Sequence, residues 1–258
     1  MSQQVTCDTH ETSASDFSLI RVEATRDRYV VTLTRPQQRN AISGDMIDEL
    51  HSACAVIERD PKPVIVVGDG DHFAGGADIA ELRARNRDDA LAGINRRLFD
   101  RVARLPLPTV AAVSGYALGG GAELAYACDI RIASSTAVFG NPEPGLGILA
   151  AAGASYRLPD LVGMSVAKQV LLGGRNLDAD AALRFGLVMD VVDDPLNAAH
   201  GVVDRITRQA PLAVRLSKTV IDAPGDHAWA TDVAQAVLFE TDDKRTRMTN
   251  FLERKKCC

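Results

Sequence analysis

None of the five cysteines, at positions 7, 54, 128, 257 and 258, is paired as CxxC, and the five histidines form no HxxxH spacing. Zinc sites and disulfide frameworks need such spacings, so neither is implied. The terminal Cys257 and Cys258 do not make a CaaX box, nothing upstream of them reads as a membrane address, and they are taken as incidental thiols. Long apolar runs are also missing: stretches such as 64–67 and 150–152 fall far short of the roughly 20 residues of a membrane-spanning helix. There is no basic excess, because 29 Lys and Arg against 34 Asp and Glu leave a net charge of -5. Nucleic-acid binding, which needs a basic domain or stripe, is disfavoured. The first 16 residues carry Asp8, Glu11 and Asp16 and resemble neither a signal nor a transit peptide, which reads as a polar tail on a cytoplasmic protein.

What remains is the composition of a folded globule. With 258 residues, 46% hydrophobic, 24% charged and 20 glycines, the chain can bury a large core without staples. Alternation around 19–23 and 29–33, across the charged turn 25–28, predicts a β-hairpin ending at Pro36. Ser43 is placed to cap a helix whose Met46, Ile47, Leu50, Ala53, Cys54 and Ile57 recur every three or four residues, and Pro61 stops it. A wholly apolar run at 64–67 reads as a strand buried on both faces. The order strand, glycine turn, helix then recurs at 109–113, 115–121 and 122–127, with further strands at 130–133, 137–139 and 187–192. Strands alternating with helices predict an α/β sheet with its loops gathered along one edge. Beyond Asp194-Pro195 three apolar stripes, beginning at Val202, Val214 and Val233, predict three or four helices too few to enclose a core of their own.

Three loops carry chemistry. In 73–81, Gly75 and Gly76 follow a strand and precede a helix, so their amides can face an anionic oxygen; Asp78 and Glu81 equally fit an N-cap and capping box. In 119–125 three glycines open a helix and leave amides at its positive end, with Glu123 one turn deeper on the face of Gly120; Glu123 also fits as an acid complementing the dipole. The triplet is not GxGxxG and lacks the Lys and Ser/Thr of a phosphate loop, which argues against a nucleotide triphosphate. In 139–145, Glu143 stands between Pro142 and Pro144 as the lone charge from 139 to 154. Such an acid is ordinarily solvated, but this one follows a buried-looking strand and so stands as a candidate catalytic carboxyl.

Together the loops resemble the crotonase family, the enoyl-CoA hydratase/isomerase superfamily. The likeness runs from about Ile20 to the C-terminus through Arg35-Pro36-Gln37-Gln38-Arg39-Asn40-Ala41, Gly75-Gly76-Ala77-Asp78-Ile79, the segment 111–125, Cys128-Asp129-Ile130, Phe139-Gly140-Asn141-Pro142-Glu143 and Gly186-Leu187-Val188. The resemblance implies a spiral of ββα turns with a C-terminal helical trimerisation module, assembled as a homotrimer or homohexamer. On that basis residues 1–17 are a tail, 18–195 the α/β core and 196–258 the oligomerisation module. It implies that the amides of Gly75 and Gly120 form an oxyanion hole for an acyl-CoA thioester. Arg39, Ala41, Gly75, Gly76, Ala77, Asp78 and Ile79 would line the coenzyme A path. Glu123 would act as water base and Glu143 as donor to Cα, with no metal or redox cofactor, coenzyme A being part of the substrate. Isomerases and thioester hydrolases of the family commonly lack one glutamate, so retention of both favours hydration of 2-trans-enoyl-CoA. An enoyl-CoA isomerase and a non-catalytic acyl-CoA binder are the alternatives. The chain departs from the family's Gly-x-x-Pro-Gly-x-Gly-Gly at 147–154, where Ala150, Ala151 and Ala154 replace a proline and two glycines. Ala151 keeps an amide able to hold water, while the added methyls are expected to narrow the acyl pocket.

Overall fold

A computed structural model describes residues 17–225 and 227–254. Most of the predicted tail, with Cys7, and the end 255–258, with Cys257 and Cys258, lie outside the described residues. The hairpin forms as read: β1 (Ile20–Ala24) pairs antiparallel with β2 (Tyr29–Leu33), Val22 opposite Val31. Ser43 caps α1 (Gly44–Arg59) through Met46 N, and the six apolar residues named from their spacing are the ones that α1 buries. From the same helix Glu49 accepts the amides of Ser18, Leu19 and Ile20 and the Ser18 hydroxyl, tying the hairpin down. Burial alone would raise this carboxyl, but the four donors outweigh it and hold Glu49 below its ordinary value.

Three turns of a spiral follow. The first runs from β3 (Val64–Gly68) into a strap at 73–77 and then α2 (Ile79–Ala84), α3 (Arg87–Ala92) and α4 (Ile94–Ala103). The second contributes β4 (Thr109–Val113), β5 (Tyr116–Leu118) and α5 (Gly120–Ala127). The third contributes β6 (Ile130–Ala133), β7 (Val138–Gly140), a 3-10 turn at Glu143–Leu146, α6 (Ala154–Val162) and α7 (Met164–Leu171). The short β8 (Leu177–Asp178) and α8 (Ala179–Arg184) close the body. The first strand of each turn joins one five-stranded sheet, ordered β1-β2-β3-β4-β6 and parallel from β2 onward. The second strands build a small sheet, β5-β7-β8, which the strap joins through a bridge between Ala74 and Ala117. This is the ββα spiral that the family resemblance implied.

Two expectations need correction. The segment 187–192 is not a strand: it runs beside β6 with a single bridge, Ala133 to Val191, in which Asp190 O accepts from Ala133 N and Val192 N donates to Ala133 O, and the one further bond, Met189 N to Arg131 O, does not extend the ladder. Glu81 does not complete a capping box with Asp78. Its carboxylate accepts from Gly44 N at the start of α1, and Asp78 alone caps α2 through Ala80 N. The C-terminal helices divide by what they bury. In α9 (Pro195–Thr207), Ala199, Val202 and Val203 pack on Val30, Ile65, Val110, Ala112 and Ile132, covering the outer face of the large sheet. In α10 (Pro211–Asp222) only Lys218 is buried, and its ammonium meets Asp129 on the body. Neither α11 (His227–Phe239) nor α12 (Asp242–Arg254) buries any residue, although Val233, Val237, Phe239, Met248 and Leu252 lie on them.

Candidate active site

The strap and the start of α5 are held edge to edge. Ala74 N donates to Tyr116 O and Leu118 N to Ala74 O, so residues 73–77 lie alongside β5 and arrive at the first turn of α5. Gly119 turns the chain from β5 into that helix with φ 51° and ψ -125°, a conformation that disfavours any side chain. A Cβ there would also stand 3.2 Å from Glu143 Oε1. Gly120 follows, its amide left without a helical carbonyl at the positive end of α5.

The predicted partner of that amide is wrong by two residues. Gly75 N donates to Arg39 O at 2.7 Å, so it cannot serve an incoming oxyanion. Arg39 is held for this bond by Asn40, whose Oδ1 accepts from Arg35 N and whose Nδ2 donates to Asp69 O and His72 O. The strap's other bonds run from Ile42 N to Gly76 O and from Asp78 N to Ile42 O, which leaves Ala77 N between them without a partner among the described residues. That nitrogen lies 3.5 Å from the point where a Cβ on Gly120 would sit. The converging pair of amides is therefore Ala77 with Gly120.

Both glutamates close on the same point. Glu123 is 3% exposed, and its Oε1 accepts from Ala152 N at 2.7 Å and Ala154 N at 3.0 Å. Burial raises this carboxyl to about 7 against those two donors, and the charge of Glu143 adds to the rise. Glu143, the lone acid between two prolines, is buried in the 3-10 turn at 8% exposure, and burial raises it too. Among the described residues its Oε2 and the Nδ2 of Asn141 have no hydrogen-bond partner. Both carboxyls are thus raised by burial, and the charge of one bears on the other, the kind of pair that can divide into a base and an acid.

The remaining predicted positions divide. Asp78 caps α2 and pairs with Arg35 at 3.2 Å, so its carboxylate is structural. The Arg39 guanidinium lies 5.6 Å over the Tyr116 ring, which stacks on His72. Ile79 is 59% exposed just after the strap, Gly75 and Gly76 lie within the strap, and Ala41 precedes Ile42, whose amide donates to Gly76 O. Ala151 sits exposed at its turn, and the amides that reach Glu123 belong to Ala152 and Ala154 instead. Arg131 was not foreseen: buried, it donates to Ala125 O, Cys128 O and Leu187 O and so steadies the negative end of α5. A groove of about 1000 Å³ between α6 and α10, lined by Tyr156, Arg157, Lys218 and Ile221, includes neither glutamate and is separate from this site. Among the described residues no group of three His, Cys, Asp or Glu could hold a metal ion, and no helix is long and apolar enough to cross a membrane.

The chain's similarities agree with this geometry. The sequence profile described as enoyl-CoA hydratase/isomerase matches residues 26–257. A short-chain-enoyl-CoA hydratase of Clostridium acetobutylicum is 40% identical over 243 residues, spanning 88% of this chain and 92% of its own. A crotonyl-CoA hydratase of Syntrophomonas wolfei is 38% identical over the same shares of the two chains. The crystal structure of an enoyl-CoA hydratase from Bacillus anthracis superposes with a TM-score of 0.87 at 32% identity, covering 92% of this chain and 97% of that one. Matched by that profile over residues 26–257 and by a relative 40% identical over 88% of its length, the chain belongs to the enoyl-CoA hydratase/isomerase family.

Proposed function

We propose that this enzyme adds water across the double bond of short 2-trans-enoyl-CoA thioesters. The observation that carries the reading is the burial of Glu123 and Glu143, both raised, against the start of α5 where the Ala77 and Gly120 amides converge. Relatives named for short-chain-enoyl-CoA and crotonyl-CoA support the substrate class. The thioester oxygen accepts from the two amides, which stabilise the enolate as it forms; one such donor is typically worth about 3 kcal/mol. Glu123, with Oε1 fixed by two amides, takes a proton from water as its oxygen attacks Cβ. Glu143, whose Oε2 has no partner among the described residues, is read as the carboxyl that delivers a proton to Cα. A proton then passes back from Glu123 to Glu143, directly or through solvent, before the next turnover. No step calls for a metal or redox cofactor.

Arg39, Ala41, Gly76, Ala77 and Ile79, on the strap or on the segment bonded to it, are the residues assigned to the coenzyme A arm. Mixing the protein with crotonyl-CoA should bleach the conjugated enoyl absorbance. Persistence of that absorbance at every chain length, despite coenzyme A binding, would establish a binder; appearance of conjugation from a 3-enoyl-CoA without hydration would establish an isomerase.

Residues 196–258 are read as the oligomerisation module of a homotrimer or homohexamer, with α9 covering the subunit's own sheet and α10 to α12 left for the contact between subunits. Val233, Val237, Phe239, Met248 and Leu252 expose more apolar surface than a lone subunit would leave open. Light scattering at micromolar concentration should find three or six copies, and a monodisperse species near 27.6 kDa would refute the assembly.

A further inference from the structure

The alanine-rich turn, the chain's departure from its family's pattern, is what holds Glu123. Ala150, Ala152 and Ala154 are buried at 3%, 5% and 0% exposure, so their methyls pack into the body and fix the turn from within. The amides of residues 152 and 154 converge on one carboxylate oxygen. Two carbonyls lie between these amides: Gly153 O accepts from Tyr156 N and Arg157 N at the start of α6, and the other accepts from a side chain. That carbonyl, Ala152 O, is taken on the far side by Arg157 Nη1 at 3.3 Å. The guanidinium is itself held by Asp100 on α4, Nη2 to Oδ1 at 2.7 Å, and Asp100 also accepts the Tyr156 hydroxyl and pairs with Arg96. The Arg157 and Asp100 side chains are 15% and 18% exposed, so the link is largely shielded from water. Gly153 makes the approach possible, since a Cβ there would stand where the guanidinium lies.

We propose that Arg157, anchored by Asp100, is a positioning residue that keeps the turn 151–154 with two amides on Glu123 and thereby sets the pH at which Glu123 can accept a proton from water. The proposal rests on the reading of Glu123 as the water base. The ionisable groups around Glu123 are Glu143 from the 3-10 turn, Arg157 from α6 and the Tyr126 phenol of its own helix. Around Arg157 they are Asp100 and Arg96 from α4 and Tyr156. Among the described residues Arg157 is the one that brings positive charge to Glu123, and the amides it positions favour the ionised form; removing it makes the carboxyl hold its proton more tightly.

Arg157→Met keeps the apolar stem and removes both the donor and the charge. The acid limb of the kcat profile should move to higher pH by about half to one unit, with kcat near pH 7 down about two- to sixfold and KM within about twofold. Arg157→Lys, which restores the charge, should bring the limb most of the way back. An unmoved limb, or a raised KM with unchanged kcat, overturns the proposal, because loss of thermal stability alone does not move a titration. The Glu123 carboxyl band, assigned in the infrared by difference from Glu123→Gln, reads the same titration in the substrate-free protein. If Glu123→Gln hydrates at the parental rate, the base assignment fails, and the infrared shift in Arg157→Met still decides the positioning claim. Should Arg157→Met fail to fold, Arg157→Gln carries the test, with a shift in the same direction; no shift overturns the claim.

Discussion

Glutamine in place of Glu143 is expected to slow hydration of crotonyl-CoA by about 10²- to 10⁴-fold in kcat while leaving KM within a few fold. The exchange keeps the size of the side chain and removes the proton that Cα must receive. Folding should tolerate it, because Glu143 Oε2 has no hydrogen-bond partner among the described residues to lose and burial already penalises its charge. Glu123→Gln should cost a similar factor for a different reason: the amide oxygen can still accept from Ala152 N and Ala154 N, but the group no longer takes a proton from water. The double variant should be little slower than the worse single one, since the two groups serve one transition state. Steady-state kinetics beside equilibrium binding of a saturated acyl-CoA checks each point. A Glu143→Gln enzyme within threefold of the parent would end the two-carboxyl mechanism.

How much of this site could be read beforehand depended on how far apart in sequence its determinants lie. Local signals carried well. The three- and four-residue spacing of α1 named its buried face residue for residue, and the glycines at 119–121 marked the opening of α5 with Glu123 one turn in. The oxyanion donors were misassigned because the deciding bond, Gly75 N to Arg39 O, joins residues 36 positions apart, and nothing near Gly75 signals that its amide is taken. Glu81 misled for the same reason: its spacing from Asp78 fits a capping box, but the nearer unpaired amide in space is Gly44 N. The strand read at 187–192 had the right apolar content, but only Val191 finds a bridge on β6. Arg157 carries no motif and became visible only when the fold brought α4 and α6 together.

Gly121→Ala should be the most damaging of the single-methyl changes at this site. A Cβ at Gly121 would stand 2.2 Å from Ala74 O and 2.7 Å from Ala74 Cβ, contacts that no rotamer change relieves because the obstacle is backbone. The strap cannot retreat, since Ala74 O accepts from Leu118 N and Ala74 N donates to Tyr116 O. So α5 must back away, carrying Gly120 N from Ala77 N and Glu123 from the amides of Ala152 and Ala154. Overpacking of this kind costs about 1–3 kcal/mol, which for a chain of this length lowers Tm by about 3–10 °C. Loss of the converging amides should lower kcat/KM by about 10²- to 10³-fold. Gly201→Ala supplies the comparison, because its Cβ would meet nothing within 4 Å and it lies inside α9, where alanine is favoured over glycine by about 1 kcal/mol. Gly201→Ala should hold or raise Tm with full activity, and a Gly121→Ala protein behaving the same way would mean that the contact between the strap and α5 is not what fixes the oxyanion site.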